Sequence, residues 1–149
     1  MVTTTPVRVP VTTPLRDLLR AATSITVLLG DGTGGIYAGD NLPKDATLPA
    51  INMRRVSPGG DFEQLDQTLF RFDIWATAPA SVEAVEVALR TYLEALASKP
   101  LTPLTGASHR AVVLGVTAPP GVPVPDPDDS TPRVVVTANV TTKAVAYTP

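Results

Sequence analysis

The sequence contains no cysteine and only one histidine, His109. Without cysteine the chain cannot form disulfides, zinc–thiolate centres or iron–sulfur clusters, and it has no cysteine nucleophile. A single histidine also excludes histidine-cluster metal sites. Since His109 has no serine motif or second histidine near it in sequence, we interpret it as a surface or interface residue. We therefore expect no catalytic residue, no metal and no cofactor.

Charged side chains are also scarce, at 17% of the sequence compared with about 25% in average proteins. This scarcity predicts that part of the surface does not face water. The net charge of −2 disfavours binding to nucleic acid by a strongly basic domain. Neither a signal-peptide pattern nor an apolar run near the roughly 20 residues of a membrane span is visible, so we expect no membrane association and synthesis in the cytoplasm.

The length of 149 residues predicts one domain over 1–149. Residues 1–12 alternate valines with polar residues and contain two prolines, which predicts an extended amino-terminal arm. If this arm lies on a neighbouring subunit, Val7 and Val9 are candidate interface residues. A frayed terminus is the alternative.

Three segments have helical spacing. Thr13 and Pro14 form a helix start, which predicts a short helix at 14–22 and a further helical turn capped by Thr23 or Ser24. A longer helix is predicted at 79–97, with Ser81 as its cap. Its apolar side chains recur at intervals of three and four residues, at Val82, Val85, Leu89, Tyr92 and Leu96.

Alternation of apolar and polar residues predicts strands at 50–56, 67–76, 109–117 and 133–146. The strand at 67–76 has an apolar inner face formed by Phe70, Phe72 and Ile74. Its other face mixes charge with large apolar side chains, as expected of a surface covered by a partner or a helix. We therefore select its four residues as candidate subunit-interface residues: Leu69, Arg71, Asp73 and Trp75.

The segment Gly30–Gly35 matches the spacing G-x-G-x-x-G of dinucleotide-binding loops. That motif requires a following helix, whose amino end holds the pyrophosphate. Here a short strand beginning at Ile36 and then a turn follow instead. We interpret the segment as a loop, and a small nucleotide-binding enzyme remains the alternative.

Two further segments are acidic. Residues 61–66 are expected to project as a loop or hairpin arm, and residues 118–132 are expected to form a proline-rich acidic loop. The aspartates of 118–132 do not match a calcium-binding loop, because prolines stand at 125, 127 and 132 and no closing glutamate follows. The carboxylates of both segments are candidate axial or lumen residues of an assembly: Asp61, Glu63, Asp66, Asp126, Asp128 and Asp129.

The order of these elements resembles that of the tail terminator proteins of phages with long non-contractile tails. A short helix (LRDLLRAA) precedes SITVLLG and GGIYAGDNLPKDATLPAINM. The segment RFDIWATAPASVEAVEVALRTYLEAL then runs from a strand into an amphipathic helix. The resemblance covers about residues 14–97 and, more loosely, the two final strands, whereas the loop at 118–132 departs from it.

This resemblance implies an α+β fold, with a mostly antiparallel β-sheet, one long amphipathic helix packed on it and a short amino-terminal helix. It implies a structural virion protein at the head–tail junction that forms a homohexameric ring. The ring would cap the tail tube protein, end tail growth and join the head connector or stopper protein. DNA would pass through its lumen without specific binding. Another phage neck component, such as a stopper or minor tail protein, is the alternative.

Overall fold

A computed structural model of the chain describes residues 9–57, 61–62, 65–104, 106–124 and 131–146. Within these ranges the fold is α+β, with a mixed, mostly antiparallel sheet and three α-helices, which confirms the predicted class. No helix in the described ranges is long and apolar enough to span a membrane.

The sheet has the strand order β1-β2-β4-β7-β5. β1 lies parallel to β2, and the other pairs are antiparallel. Two short strands, β3 and β6, pair with β4 and β7. The strands are β1 (Ile36–Ala38), β2 (Ala50–Ser57), β3 (Asp61–Phe62), β4 (Leu65–Trp75), β5 (His109–Thr117), β6 (Val122–Pro123) and β7 (Arg133–Ala146).

The helices are α1 (Thr12–Arg20), α2 (Thr23–Thr26) and α3 (Pro79–Glu94). The predicted caps are wrong. α1 is capped by Val11 rather than Thr13, because Val11 is buried in the core and its carbonyl accepts a hydrogen bond from the Leu15 amide. The cap of α3 is Ala78 rather than Ser81, since proline is favoured in the first helical turn.

α3 ends three residues earlier than predicted. The Ser98 amide then donates to the Val113 carbonyl and the Leu101 amide to the Ala111 carbonyl. The chain after α3 therefore lines the outer edge of β5 and occupies hydrogen-bonding groups that an edge strand would otherwise expose.

One apolar core lies between the helices and one face of the sheet. In β4, Phe70, Phe72 and Ile74 point into this core with no exposed surface, as predicted. From the helices the core receives Leu15, Leu19, Ile25, Val82, Val85, Leu89 and Leu93. Val11 belongs to the same core, so the carboxyl end of the predicted arm 1–12 is part of the folded body.

The first half of the predicted loop 118–132 is packed against α3. Glu86 Oε1 accepts a hydrogen bond from the Gly121 amide at 2.6 Å, and Arg90 Nε donates to the Ala118 carbonyl at 3.0 Å. We call residues 118–121 the strap. It fits closely, because a Cβ atom at Gly121 would collide with the side chain of Val134. Residues 125–130 of the loop lie outside the described residues.

We therefore predict that Gly121→Ala lowers the free energy of unfolding by about 1–3 kcal/mol, because the added methyl group overpacks the contact between strap and sheet. Urea denaturation measures the change. Gly39→Ala is the matched control, since a Cβ there would meet no atom within 4 Å. Equal stability of the two variants would contradict the prediction.

Candidate functional site

The sheet side opposite the helices is covered only in part, and we call it the open face. Antiparallel partners lie on the same side of a sheet, so the registers of β2, β4 and β7 identify its residues. The four interface candidates of β4 all lie on it. Three are half-buried, namely Leu69, Arg71 and Trp75, whereas Asp73 is only 4% exposed.

Asp73 is held by two arginines of its own chain. Arg71 Nε lies 2.9 Å from Asp73 Oδ1, and a terminal guanidinium nitrogen of Arg133 lies 3.3 Å from the same oxygen. The Arg133 guanidinium carbon also lies 5.0 Å from the centre of the Trp75 ring, within range of a cation–π interaction. A buried carboxylate requires such partners, and here they fix the Trp75 ring and both arginines in place.

Asp73 forms its ion pairs with Arg71 and Arg133, and none is formed with Arg54 on the neighbouring strand. Arg54 lies on the open face directly opposite Arg71, and like charges in this position repel each other. Arg54 forms no hydrogen bond or ion pair within the described part of the chain. Its half-buried guanidinium group therefore has no counter-ion among the residues that the structure describes.

A covering segment, residues 40–48, lies over the end of the open face nearest β1. Together with β2, β4 and β7 it encloses a cleft of about 650 Å³. The side chains of Arg54, Trp75 and Arg133 line this cleft, and the charged groups Asp40, Lys44 and Asp73 line it as well. The amide of Asn52 donates to the Gly39 carbonyl at 3.0 Å, which fixes the start of the covering segment to the sheet.

The glycine-rich segment has a structural role in holding the covering segment. Gly30 donates its amide to the Pro49 carbonyl, and a Cβ there would collide with the backbone of residues 47 and 48. The Asp31 carboxylate accepts hydrogen bonds from the Thr47 amide and the Tyr37 hydroxyl. The Thr47 bond is the main cause of the lowered pKa of Asp31.

The segment ends in a 3-10 turn, Gly32–Gly35, followed directly by β1. No helix follows it, so the arrangement required by the dinucleotide fingerprint is not formed. His109 begins β5, and its Nδ1 lies 2.9 Å from Ser108 Oγ. Across the described ranges, no group of three or more histidine, aspartate or glutamate side chains is arranged to hold a metal ion.

The remaining candidate residues are scattered. Val9 is half-buried against the core of its own chain, and Val7 lies outside the described residues. Asp61 lies opposite Asp66 in the backbone register of β3 and β4, and the Asp66 side chain is half-buried. The other acidic candidates lie outside the described ranges: Glu63, Asp126, Asp128 and Asp129.

Sequence reasoning missed Arg133 and the full role of Arg54. Arg133 is 60 residues from Asp73 in the chain and reaches it only because β7 pairs with β4 so that Arg133 lies opposite Trp75. Nothing in the local sequence indicates which strand the segment that begins at Arg133 joins.

No protein-family model matches the chain, and a search of curated proteins found no match either.

We predict that Asp73→Ala lowers the free energy of unfolding by about 1–3 kcal/mol. The substitution leaves two partly buried guanidinium groups without their carboxylate and adds to the repulsion from Arg54. Urea denaturation at neutral pH measures this effect. Asp40→Ala removes an exposed carboxylate from the same cleft and should change stability by less than about 0.5 kcal/mol. A loss for Asp73→Ala as small as that of this control would refute the structural role of the cluster.

Proposed function

We propose that the protein is a structural assembly protein whose open face forms contacts between subunits. The observation that carries this proposal is the asymmetry of the two layers. Three helices cover one side of the sheet, whereas the other side presents Leu69 and Trp75, both half-buried, beside a cluster of arginines. Tryptophan and arginine are the residue types most enriched at the energetic centres of protein interfaces.

The assembly we propose is a closed ring of about six copies that serves as a phage tail terminator. The order of elements along the chain supports this choice through its resemblance to that family. In this role the ring caps the tail tube, ends tail growth and offers a surface to the head connector at the head–tail junction of the virion. A ring requires each copy to contact the next through two different surfaces. The open face and the helical side of the molecule are two such surfaces.

The acidic segments 61–66 and 126–129 are proposed to face the ring axis. Negative charge there would keep DNA from binding as it passes. To test this placement, Asp126, Asp128 and Asp129 are changed together to asparagine, and the joining of tails to heads is measured. Joining at the wild-type level would contradict it.

Light scattering across a concentration series, with negative-stain electron microscopy of the same samples, tests the ring. We expect a mass of about six copies and closed rings with a central opening. Trp75 is the only tryptophan of the chain, so its emission should shift to shorter wavelength as copies associate and water leaves the open face. A mass of one copy at every concentration, with unchanged emission, would contradict the proposal.

Trp75→Ala should weaken this assembly by about 2–4 kcal/mol per contact, the range of an interface hot spot. The change is measured as a rise in the concentration at which half of the protein is assembled. Val27→Ala is the control, because Val27 is 77% exposed on the helical side and should leave assembly unchanged. Assembly of Trp75→Ala at the wild-type concentration would remove Trp75 from the interface.

A further inference from the structure

The charges of the chain are separated between the two sides of the sheet. According to the strand registers, five basic residues lie on the open face: Arg54, Arg71, Arg110, Arg133 and Lys143. Asp73 is the acidic one among the described strand residues of this face, and Asp40 and Lys44 of the covering segment line the same cleft with opposite charges. The open face therefore carries a charge of about +4 in a chain whose net charge is −2, which leaves −6 for the rest of the molecule. A chain with a negative net charge therefore has one positively charged surface.

The exposed side of α3 has the opposite charge. Glu83 and Glu94 are exposed carboxylates, and Val87 between them is 54% exposed. These three residues recur at intervals of four and seven, so they form one stripe along the helix. The single basic residue of α3, Arg90, is half-buried and donates to the Ala118 carbonyl. Arg90 lies in the same stripe, one turn before Glu94, so the stripe combines two exposed carboxylates and an exposed apolar side chain with one half-buried cation.

We propose that the open face of one copy binds the α3 stripe of the next copy. Glu83 and Glu94 would then be counter-ions for the arginines of the open face, and Val87 would contact the apolar side chains of that face. This inference rests on the proposed self-assembly and adds the identity of the second surface. Two features argue for it: within the described ranges Arg54 forms no ion pair, and neither do Glu83 and Glu94. Opposite charges on two surfaces of one chain favour association between copies.

The geometry of this contact also determines the type of assembly. The open face and the α3 stripe lie on opposite sides of the molecule, because α3 packs on the other side of the sheet. Such a contact cannot satisfy both surfaces in a dimer, since one copy keeps a free open face and the other a free α3 stripe. It adds copies in one direction, and a ring forms where the rotation between neighbouring copies closes.

Charge reversal in two separate proteins tests this pairing. One variant is Arg54→Glu, and the other combines Glu83→Arg with Glu94→Arg. Each variant alone should need about tenfold or more protein to assemble, because a like-charge contact replaces the ion pair between position 54 and the α3 stripe. In an equal mixture, the changed open face of the Arg54→Glu variant contacts the changed α3 stripe of the other variant. The unchanged open face of that second variant contacts the unchanged α3 stripe of the Arg54→Glu variant. We therefore expect mixing to restore assembly at the wild-type concentration, in rings that alternate the two variants.

A matched mixture controls for nonspecific charge effects. Asp17→Arg reverses an exposed carboxylate on α1, and mixing it with Arg54→Glu should restore nothing. Circular dichroism checks that the variants fold, which we expect because Arg54→Glu places a carboxylate opposite Arg71 and removes a repulsion. Lys143→Glu, at an exposed position of the same face, provides a second reversal that should also be rescued by the α3 variant.

The outcomes separate the two proposals. If the wild type forms rings but the Arg54→Glu and α3 variants do not rescue each other, the pairing of these surfaces is wrong and ring assembly stands. If the wild type is a monomer at every concentration, both proposals are wrong. If the wild type binds a fluorescent duplex DNA and Arg54→Glu loses that binding, the open face is a nucleic-acid surface, and the pairing with α3 is overturned.

Discussion

The antiparallel pairing of β4 with β7 is the interaction on which the rest of the structure depends. It runs without a break from Leu65 opposite Lys143 to Trp75 opposite Arg133. Because side chains alternate between the faces of a strand, this one register directs Phe70 and Phe72 into the core under the helices. The same register brings Arg133 beside Asp73 and Trp75 on the other side. A shift of one residue would exchange the two sets and bury charge among apolar side chains.

The covering segment explains why the open face is not uniform. The glycine-rich segment permits the backbone of residues 47–49 to approach closely at Gly30, and Asp31 then fixes Thr47. This brings residues 40–48 over the β2 end of the sheet, where Ala50 and Asn52 are buried. At the other end of this face, Asn139 and Lys143 are exposed. The glycines thus shape the cleft beside Arg54 by allowing close packing of backbone, which is a structural use of a pattern that resembles a nucleotide-binding loop.

Charge follows the same division into two sides. Asp73, the buried carboxylate of the open face, is paired with Arg71 and Arg133, whereas Arg54 forms no ion pair within the described ranges. A half-buried guanidinium group in this state costs little while water reaches it, and a carboxylate that arrives as water leaves supplies a charge-assisted hydrogen bond. Such a surface is therefore stable in the free subunit and can form additional hydrogen bonds when subunits associate. This is a physical reason why the Arg54 side of the sheet is suited to contact another copy.

The sequence by itself determined the strands at 109–117 and 133–146, the buried column of β4 and the α+β class, because local periodicity reflects which side of each element is buried. The ends of helices were less predictable: Val11 and Ala78 precede α1 and α3 because of burial and proline geometry, and polar caps close by are not used. Only the tertiary structure decided the site. Asp73 acquires Arg133 as a partner through strand pairing across 60 residues, and the partition of basic residues onto one face depends on which strands are neighbours, an arrangement set by packing of the whole chain.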